Sequence, residues 1–258
     1  MVIEKPIALH KTDAETNCAH GPANRPAGVW GDAEPLLAAR RLAQAGVMTR
    51  AGWARCFWCS STASGTAMPA TTSPGGWKGT QALDGGTLFT QFSHFVDLLY
   101  WVFGDITNIS ARFRDFTHAG ITDFEDSGLV TFDLVRGGSG TLSYSTAVWD
   151  RNLESSLTVV AERGSPAKSA ASTWTKWSTA TCEDYDAYPL PPTNPANDYG
   201  PYQGSAANHV QVIENVVDTV QQRSSATTNA LEGLKVVEII ERIYALRQPV
   251  PAVPLPPR

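Results

Sequence analysis

The chain has 258 residues and a formal net charge of −5 at pH 7, and its basic residues do not cluster. This length allows one large domain or two small ones, and the acidic balance argues against nucleic acid or an anionic membrane as a partner. No apolar run approaches the roughly 20 residues of a membrane span, and the N-terminus does not have the pattern of a signal peptide. We therefore expect a cytoplasmic protein.

The first part of the chain has few regular elements. Thr12-Asp-Ala-Glu15 is a capping box and predicts a short helix. Residues 18–73 are rich in small and polar residues and show little helix or strand periodicity, and residues 165–181 are similarly featureless. We expect both segments to be loosely packed or exposed. Cys56 and Cys59 form a lone CxxC without a second pair, which is weak evidence for zinc, and no metal site is expected.

The most informative segment is an apolar helix predicted for Gly86–Phe103, which the turn Asp84-Gly85-Gly86 precedes. His94 and Asp97 share one face of this helix at three-residue spacing. The apolar residues on the other side face a core: Phe95, Leu98, Leu99 and Val102. A histidine placed in this way can transfer protons into a cleft. From the helix alone, a hydrogen-bonded core histidine is the favoured alternative, and Asp97 is better explained as a structural residue.

Four strands are predicted after this helix. Ile106–Phe116, Ser127–Val135, Thr141–Val148 and Leu157–Ala161 have strand character, and the glycines of Arg136–Gly140 favour a hairpin. The expected fold is α+β, with an open antiparallel or mixed sheet that the His94 helix covers on one face.

The last part of the chain contains a loop and two amphipathic helices. Tyr188–Tyr202 is rich in Pro, Asn and Tyr and predicts an ordered surface loop. Ala206–Gln221 and the segment from Leu231 to Tyr244 each carry an apolar stripe. Residues 249–258 form a Pro-rich tail, which we expect to be extended.

Several of these motifs together resemble a known family. Glu4-Lys5-Pro6 and the Gly-Gly…His helix resemble the Gfo/Idh/MocA family of nicotinamide-dependent sugar oxidoreductases. Four further segments resemble the branch that oxidises UDP-N-acetylglucosaminuronate at the sugar 3-position: Trp77–Thr80, Ser143–Trp149, Asn152–Ser155 and Thr228–Glu238. The resemblance covers residues 1–17, 74–164 and 182–247.

The resemblance implies how the chain is organised. Residues 1–17 would be the tail end of a Rossmann-type dinucleotide-binding domain, and residues 18–73 an anomalous segment. Residues 74–248 would be a substrate-binding and oligomerisation domain, which pairs through its sheet face into a homo-oligomer. Residues 249–258 would be the tail.

The resemblance also implies roles for individual residues. Lys5 and His94 would be catalytic, and Glu4, Lys5 and Pro6 would contact NAD or NADP. Many relatives have Asp at the position of Thr90, so His94 would act with Lys5 alone. The residues implied in binding a sugar or nucleotide-sugar substrate are Trp77, Lys78, Thr80, Asp84, Gly85, Gly86, Thr90, Tyr199, Tyr202 and Asn208. A uridine ring would stack on a tyrosine of the polar loop, and Trp77 is equally well explained as a core residue.

Translation in a shifted reading frame can convert parts of residues 18–73 and 165–181 into amino-acid sequences that resemble the family. One frame can convert Cys18–Pro35 into a helix end and a strand, and the other can convert Arg55–Thr71 and Pro166–Thr181. We therefore hypothesise that the coding sequence contains frame errors and that the CxxC is one of their products. Sequencing the coding DNA tests this hypothesis, because an uninterrupted frame that encodes the printed residues would refute it.

The cofactor cradle of such enzymes is a G-x-G-x-x-G turn that holds the pyrophosphate at a helix N-terminus. This motif does not occur in the printed sequence, so we expect an N-terminally truncated chain that binds NAD weakly or not at all. Two functions remain open. The chain belongs to an NAD-dependent sugar dehydrogenase, or it is an inactive remnant that serves only in sugar binding or subunit interaction. An in-frame Gly-rich turn upstream of Met1 would favour the enzyme.

Overall fold

The strands and helices follow one another in an order that builds one large sheet and a small strand pair. The strands are β1 (Val2–Ile3), β2 (Gly28–Val29), β3 (Cys56–Ser64), β4 (Ile106–Arg114), β5 (Ser127–Leu134), β6 (Ser139–Ser145), β7 (Glu154–Ala161), β8 (Gly164–Ala170) and β9 (Trp177–Cys182). The helices are α1 (Lys11–Ala19), α2 (Gln81–Asp84), α3 (Thr87–Thr90), α4 (Ser93–Phe103), α5 (His209–Val220) and α6 (Ala230–Tyr244). The computed structural model describes residues 2–3, 5–19, 28–29, 56–65, 77–149, 152–162, 164–170, 177–182, 209–226 and 229–248.

The large sheet has seven strands in the order β4-β5-β6-β3-β7-β8-β9. β3 pairs in parallel with β6 and antiparallel with β7, and the remaining neighbours are antiparallel, so the sheet is mixed. β1 and β2 form a separate parallel pair. The α+β class and the mixed open sheet are as the sequence predicts. Among the described residues, no helix has the length and apolar composition that a membrane span requires.

The strand β3 corrects the expectation that residues 18–73 are loosely packed. β3 lies near the middle of the sheet, and Cys59 and Ala63 are fully buried. The expectation is wrong for residues 56–65 because the inward-facing side chains of β3 are small. Cys59, Ser61 and Ala63 alternate with less buried residues, but this alternation carries little of the hydrophobic contrast by which strands are recognised. Residues 165–181 also contain strand backbone, in β8 and β9.

The core lies between the sheet and the two helices α4 and α6. The buried residues of α4 include Phe95, Leu98 and Leu99, and those of α6 include Val237 and Ile240. The predicted helix Gly86–Phe103 is divided into α3 and α4 at Gln91 and Phe92. Sequence periodicity therefore identified the correct buried face but not the break.

The two other predicted helices are present with differences. α1 begins at Lys11, so Thr12 lies inside the helix and is not its N-cap. An apolar stripe predicts that a helix packs against a core, but several apolar residues of α5 are exposed: Val210, Ile213, Val217 and Val220. The prediction of burial is therefore wrong for this face of the helix.

Candidate functional site

Lys5 reaches from the N-terminal segment to the break between α3 and α4. Its Nζ donates a hydrogen bond of 2.7 Å to the carbonyl oxygen of Thr90, the last residue of α3. The ammonium group is therefore held beside the first turn of α4, where His94 lies. The structure brings together the two residues for which the sequence analysis expects catalytic roles.

His94 is kept neutral by its surroundings. Its Nδ1 is buried and has no hydrogen-bond partner among the described residues. Burial and, to a smaller extent, the positive charge of Lys5 lower the pKa of His94 to about 3. An unperturbed imidazole titrates near neutrality, and this property makes histidine a candidate for proton transfer. In this fold the pKa lies well below that range, because the side chain is desolvated and a cation lies nearby.

Asp84 completes a group of three ionisable side chains. It is buried, and its Oδ2 accepts a hydrogen bond of 2.7 Å from the backbone N–H of Gly79. Its Oδ1 is buried without a hydrogen-bond partner in the part of the chain that the structure describes. Burial raises the pKa of Asp84, while Gly79 and the charges of Lys78 and Lys5 oppose this effect. We call Lys5, Asp84 and His94 the Lys5 cluster.

The turn after Asp84 requires glycine at both positions. Gly85 and Gly86 have φ values of +80° and +114°, which side-chain-bearing residues rarely adopt. A Cβ on Gly85 would lie 2.6 Å from the Leu9 side chain, and a Cβ on Gly86 would lie 2.6 Å from the Tyr244 hydroxyl. The turn therefore packs closely against the segment that carries Lys5, as well as against the end of α6.

The loop before α2 joins the Lys5 cluster through Gly79, whose backbone N–H donates to Asp84. Trp77 is 58% exposed, so the interpretation of Trp77 as a core residue is wrong. The Lys78 ammonium lies 5.6 Å from the centroid of the Trp77 ring, which is a cation–π distance. The Thr80 carbonyl accepts the backbone N–H of Asp84 at 2.8 Å. The Thr90 hydroxyl donates to the Gly86 carbonyl at 3.3 Å, so it is used locally within α3.

Asp97 acts in the packing of α4 against α6. Burial and the charge of Glu232 raise its pKa to about 7, and Glu232 belongs to the capping box that begins α6. This agrees with the structural role that the sequence analysis favours for Asp97.

Behind the Gly85–Gly86 turn lies a buried polar network that the sequence analysis missed. The carboxylate of Glu125 is fully buried and accepts hydrogen bonds from the hydroxyls of Tyr144 at 2.9 Å and Tyr244 at 2.7 Å. Arg247 Nη2 lies 3.7 Å from its second oxygen. Burial raises the pKa of Glu125, while the two phenols and Arg247 oppose this effect. No sequence pattern indicates the network, because its members are far apart in the chain.

His118 also has partners that its sequence surroundings did not indicate. Its Nδ1 lies 3.2 Å from Asp126 Oδ2, and the nearby Asp115 makes this a group of three residues that could hold a metal ion. Asp126 already accepts the backbone N–H groups of Phe116 and Thr117 at 2.9 and 2.8 Å. Burial opposes the charge on Asp126, but these hydrogen bonds, with His118 the strongest, lower its pKa to about 2. The arrangement is explained as a structural hydrogen-bond network.

Four predicted site residues lie outside the described residues. They are Glu4, Tyr199, Tyr202 and Asn208. Their roles in binding cofactor or substrate stay predictions, as does the role of Pro6.

The fold and a matching family model define the class of protein. The chain belongs to the GFO/IDH/MocA family, whose C-terminal-domain model matches residues 36–166. No curated protein sequence matches the chain significantly.

Solved structures of similar fold include dehydrogenases. WlbA dehydrogenase from Bordetella pertussis, in complex with NADH and UDP-GlcNAcA, is 20% identical, with a TM-score of 0.69 over 95% of this chain and 68% of that one. GenD2 from gentamicin A biosynthesis, in complex with NAD, is 20% identical, with a TM-score of 0.67 over 95% and 68%. Levoglucosan dehydrogenase, in complex with NADH, is 15% identical, with a TM-score of 0.72 over 95% and 70%. At these identities the likeness establishes the fold.

Proposed function

We propose that this chain carries the substrate-binding and proton-transfer half of an NAD-dependent dehydrogenase that oxidises a sugar hydroxyl. The observation that supports this most directly is the Lys5 cluster. A cation, a buried imidazole nitrogen and a buried carboxylate oxygen lie around one turn, and the last two atoms have no protein partner among the described residues. Buried polar atoms without partners are costly, and the hydroxyls of a bound sugar would satisfy both of them.

The proposed roles follow from charge and position. His94 is neutral over the physiological pH range and accepts the hydroxyl proton at Nδ1. As the carbinol C–H bond breaks, the hydroxyl becomes far more acidic, so a weakly basic imidazole is sufficient. Lys5, held by the Thr90 carbonyl, stabilises the developing negative charge on the substrate oxygen. Asp84 accepts a neighbouring sugar hydroxyl at Oδ1.

A bound nicotinamide cofactor, NAD or NADP, would accept the hydride. Lys5, held by the Thr90 carbonyl, would lie between its nicotinamide end and the substrate hydroxyl that loses a proton. Glu4 and Pro6 would contact the nicotinamide ribose by resemblance to the family. A G-x-G-x-x-G cradle for the pyrophosphate is not part of the printed sequence.

We propose a nucleotide sugar, such as a UDP-N-acetylhexosaminuronate, as the substrate. The motifs Trp77–Thr80 and Ser143–Trp149 support this choice, as does the fold shared with a WlbA dehydrogenase crystallised with UDP-GlcNAcA. Trp77 presents an exposed ring, and the exposed Lys78 ammonium beside it can pair with a diphosphate. Tyr199, Tyr202 and Asn208 would complete the uridine subsite.

The open sheet face is proposed as the contact between subunits. On this face the cross-strand neighbours Thr131, Thr141 and Ser60 form a row of small polar residues. Leu129 and Trp58 on the same face are 47% and 39% exposed. A partly exposed face that combines apolar and small polar side chains suits a self-complementary dimer contact. Sedimentation analysis of the chain, with Leu129→Lys as the disrupting variant, tests this assignment.

The substrate assignment is tested by calorimetric titration of UDP-N-acetylglucosaminuronate into the full chain. We expect saturable binding that Asp84→Asn weakens, while Asp13→Asn on the exposed side of α1 leaves it unchanged. If the chain bound levoglucosan but not the nucleotide sugar, the proposed substrate would have to be changed from a nucleotide sugar to a simple sugar. Absence of binding by both would contradict the proposed function.

A second candidate function is a sugar-binding or subunit-interaction domain without catalysis. This candidate needs no pyrophosphate cradle, and a G-x-G-x-x-G turn is not part of the printed sequence. Nucleotide-sugar binding without any reduction of NAD, measured by nicotinamide absorbance, would support this candidate.

A further inference from the structure

The helix α3 begins without a side-chain cap. Its N-cap residue is Gly86, which has no side chain to accept a backbone N–H group. The first N–H groups of any helix have no acceptor within the helix. The hydroxyl of Tyr244 accepts the N–H of Leu88 at 2.9 Å and so supplies this missing partner. Tyr244 comes from the end of α6, far away in the sequence.

The Tyr244 hydroxyl is itself fixed in direction. It donates to Glu125 Oε1 at 2.7 Å, so its oxygen lone pair is free to face Leu88. The Tyr244 ring packs against the rings of Phe89 and Phe113, with centroid distances of 6.1 and 5.7 Å. The Gly86 backbone lies so close that a Cβ there would be 2.6 Å from the hydroxyl oxygen. The glycine and the tyrosine therefore form one fitted contact.

Arg247, one turn after Tyr244, connects the same network to the loop before the turn. Its guanidinium donates to the side chain of Gln81 and to the Asp123 carbonyl, the latter at 3.3 Å. Gln81 in turn donates to the Gly85 carbonyl at 3.0 Å. The Gly85–Gly86 turn is thus attached on both sides to the end of α6.

From these contacts we propose that Tyr244 is a positioning residue, which holds the Gly85–Gly86 turn so that Asp84 and the rest of the Lys5 cluster meet the substrate. The inference rests on the proposed function for its ligand. It predicts that removal of the Tyr244 hydroxyl weakens ligand binding, an effect beyond the loss of unfolding stability that any broken buried hydrogen bond would cause.

Tyr144 provides a matched control. Its hydroxyl donates to the same Glu125 Oε1 at 2.9 Å, and its ring packs against Phe92 with a centroid distance of 5.5 Å. No hydrogen bond to the α3 backbone is found for the Tyr144 hydroxyl among the described residues. Tyr144→Phe and Tyr244→Phe therefore each remove one hydrogen bond to Glu125 Oε1, but only Tyr244→Phe also removes the acceptor of the Leu88 N–H.

The experiment compares both variants as the full chain, with UDP-N-acetylglucosaminuronate as the probe. Amide exchange of Leu88 is followed by NMR, affinity by calorimetry, and unfolding by thermal denaturation. Since one net hydrogen bond corresponds to about a tenfold change in an equilibrium, we expect Tyr244→Phe to speed Leu88 exchange and to weaken binding by about tenfold each. We expect Tyr144→Phe to change both by less than about twofold, with a similar shift in unfolding temperature.

Two results would overturn the inference. One is unchanged Leu88 exchange in Tyr244→Phe, and the other is an equal loss of affinity in both variants, which would mean a purely structural role. Failure of the parent chain to bind the probe would instead contradict the proposed function. In that case the Leu88 comparison alone decides whether Tyr244 holds the turn.

Discussion

Replacement of Gly86 by Ala is the sharpest test of the geometry behind the Lys5 cluster. Two independent costs add at this position. At φ +114° and ψ 174° the backbone lies in a region that is essentially restricted to glycine, and strain there is about 1–3 kcal/mol for other residues. The new Cβ would lie 2.6 Å from the Tyr244 hydroxyl and 2.9 Å from the ring carbon that carries it, and overpacking adds about 1–3 kcal/mol. We expect a destabilisation of about 2–6 kcal/mol.

Urea denaturation of the full chain measures this destabilisation, and two comparisons separate its causes. Gly120 has a φ of +79°, and a Cβ added there would meet no atom within 4 Å. Gly120→Ala should therefore cost only the backbone strain, about 1–2 kcal/mol. Tyr244→Phe removes the oxygen with which the Gly86→Ala side chain clashes, so the double variant should lose less stability than the sum of the single variants. The reasoning would be refuted if Gly86→Ala cost no more than Gly120→Ala, or if the two changes were additive.

The remaining predictions concern catalysis, pH and the cofactor. In a form of the enzyme that reduces NAD, His94→Asn should lower kcat by about 10²–10⁴, whereas Thr90→Ala should change kcat only several-fold. Equal effects of the two substitutions would mean that His94 is a core residue without a catalytic role. The pKa of Asp97 is raised from 3.8 to about 7, so the protonated carboxyl contributes to the free energy of unfolding. This contribution is complete below about pH 4 and is lost as the pH rises through 7. Asp97→Asn should remove that pH dependence from urea midpoints, and Asp13→Asn should keep it. Calorimetry should find no micromolar affinity of the printed chain for NAD, since a G-x-G-x-x-G turn is the usual pyrophosphate site.

The parts of the fold that could be predicted from the sequence are those with large side chains at regular spacing. α4 and α6 place Phe, Leu, Ile and Val at helical spacing, and the β5–β6 hairpin combines alternating apolar residues with glycines. The strand β3 could not be recognised, because its inward-facing residues are small and its neighbours β6 and β7 come much later in the chain. The position of β3 in the sheet is determined by its pairing with β6 and β7, and the spacing of residues within β3 gives no information on that pairing.

Part of the candidate site could also be predicted from the sequence, and part could not. The Gly85–Gly86 turn was predictable, because paired glycines indicate positive φ. The proximity of Lys5 and His94 followed from a family resemblance and not from spacing, since the two residues are separated by about a third of the chain. The Tyr244–Leu88 bond joins residues 156 positions apart. Such a contact exists only once the sheet has brought α6 behind the turn.

The electrostatics of His94 show most clearly what a residue type alone cannot provide. Imidazole is ordinarily the side chain that titrates near neutrality, and that property suggested a proton acceptor. Folding removes water from the ring and places the Lys5 ammonium beside it, and both effects disfavour the imidazolium. The imidazole ring is therefore neutral near pH 7. Its Nδ1 has no hydrogen-bond partner among the described residues. In the proposed reaction, a substrate hydroxyl would pass its proton to His94 while Lys5 would stabilise the charge on its oxygen. Burial is the larger cause of the low pKa, and the attachment of Lys5 to the α3–α4 junction adds the positive charge on which the proposed chemistry also depends.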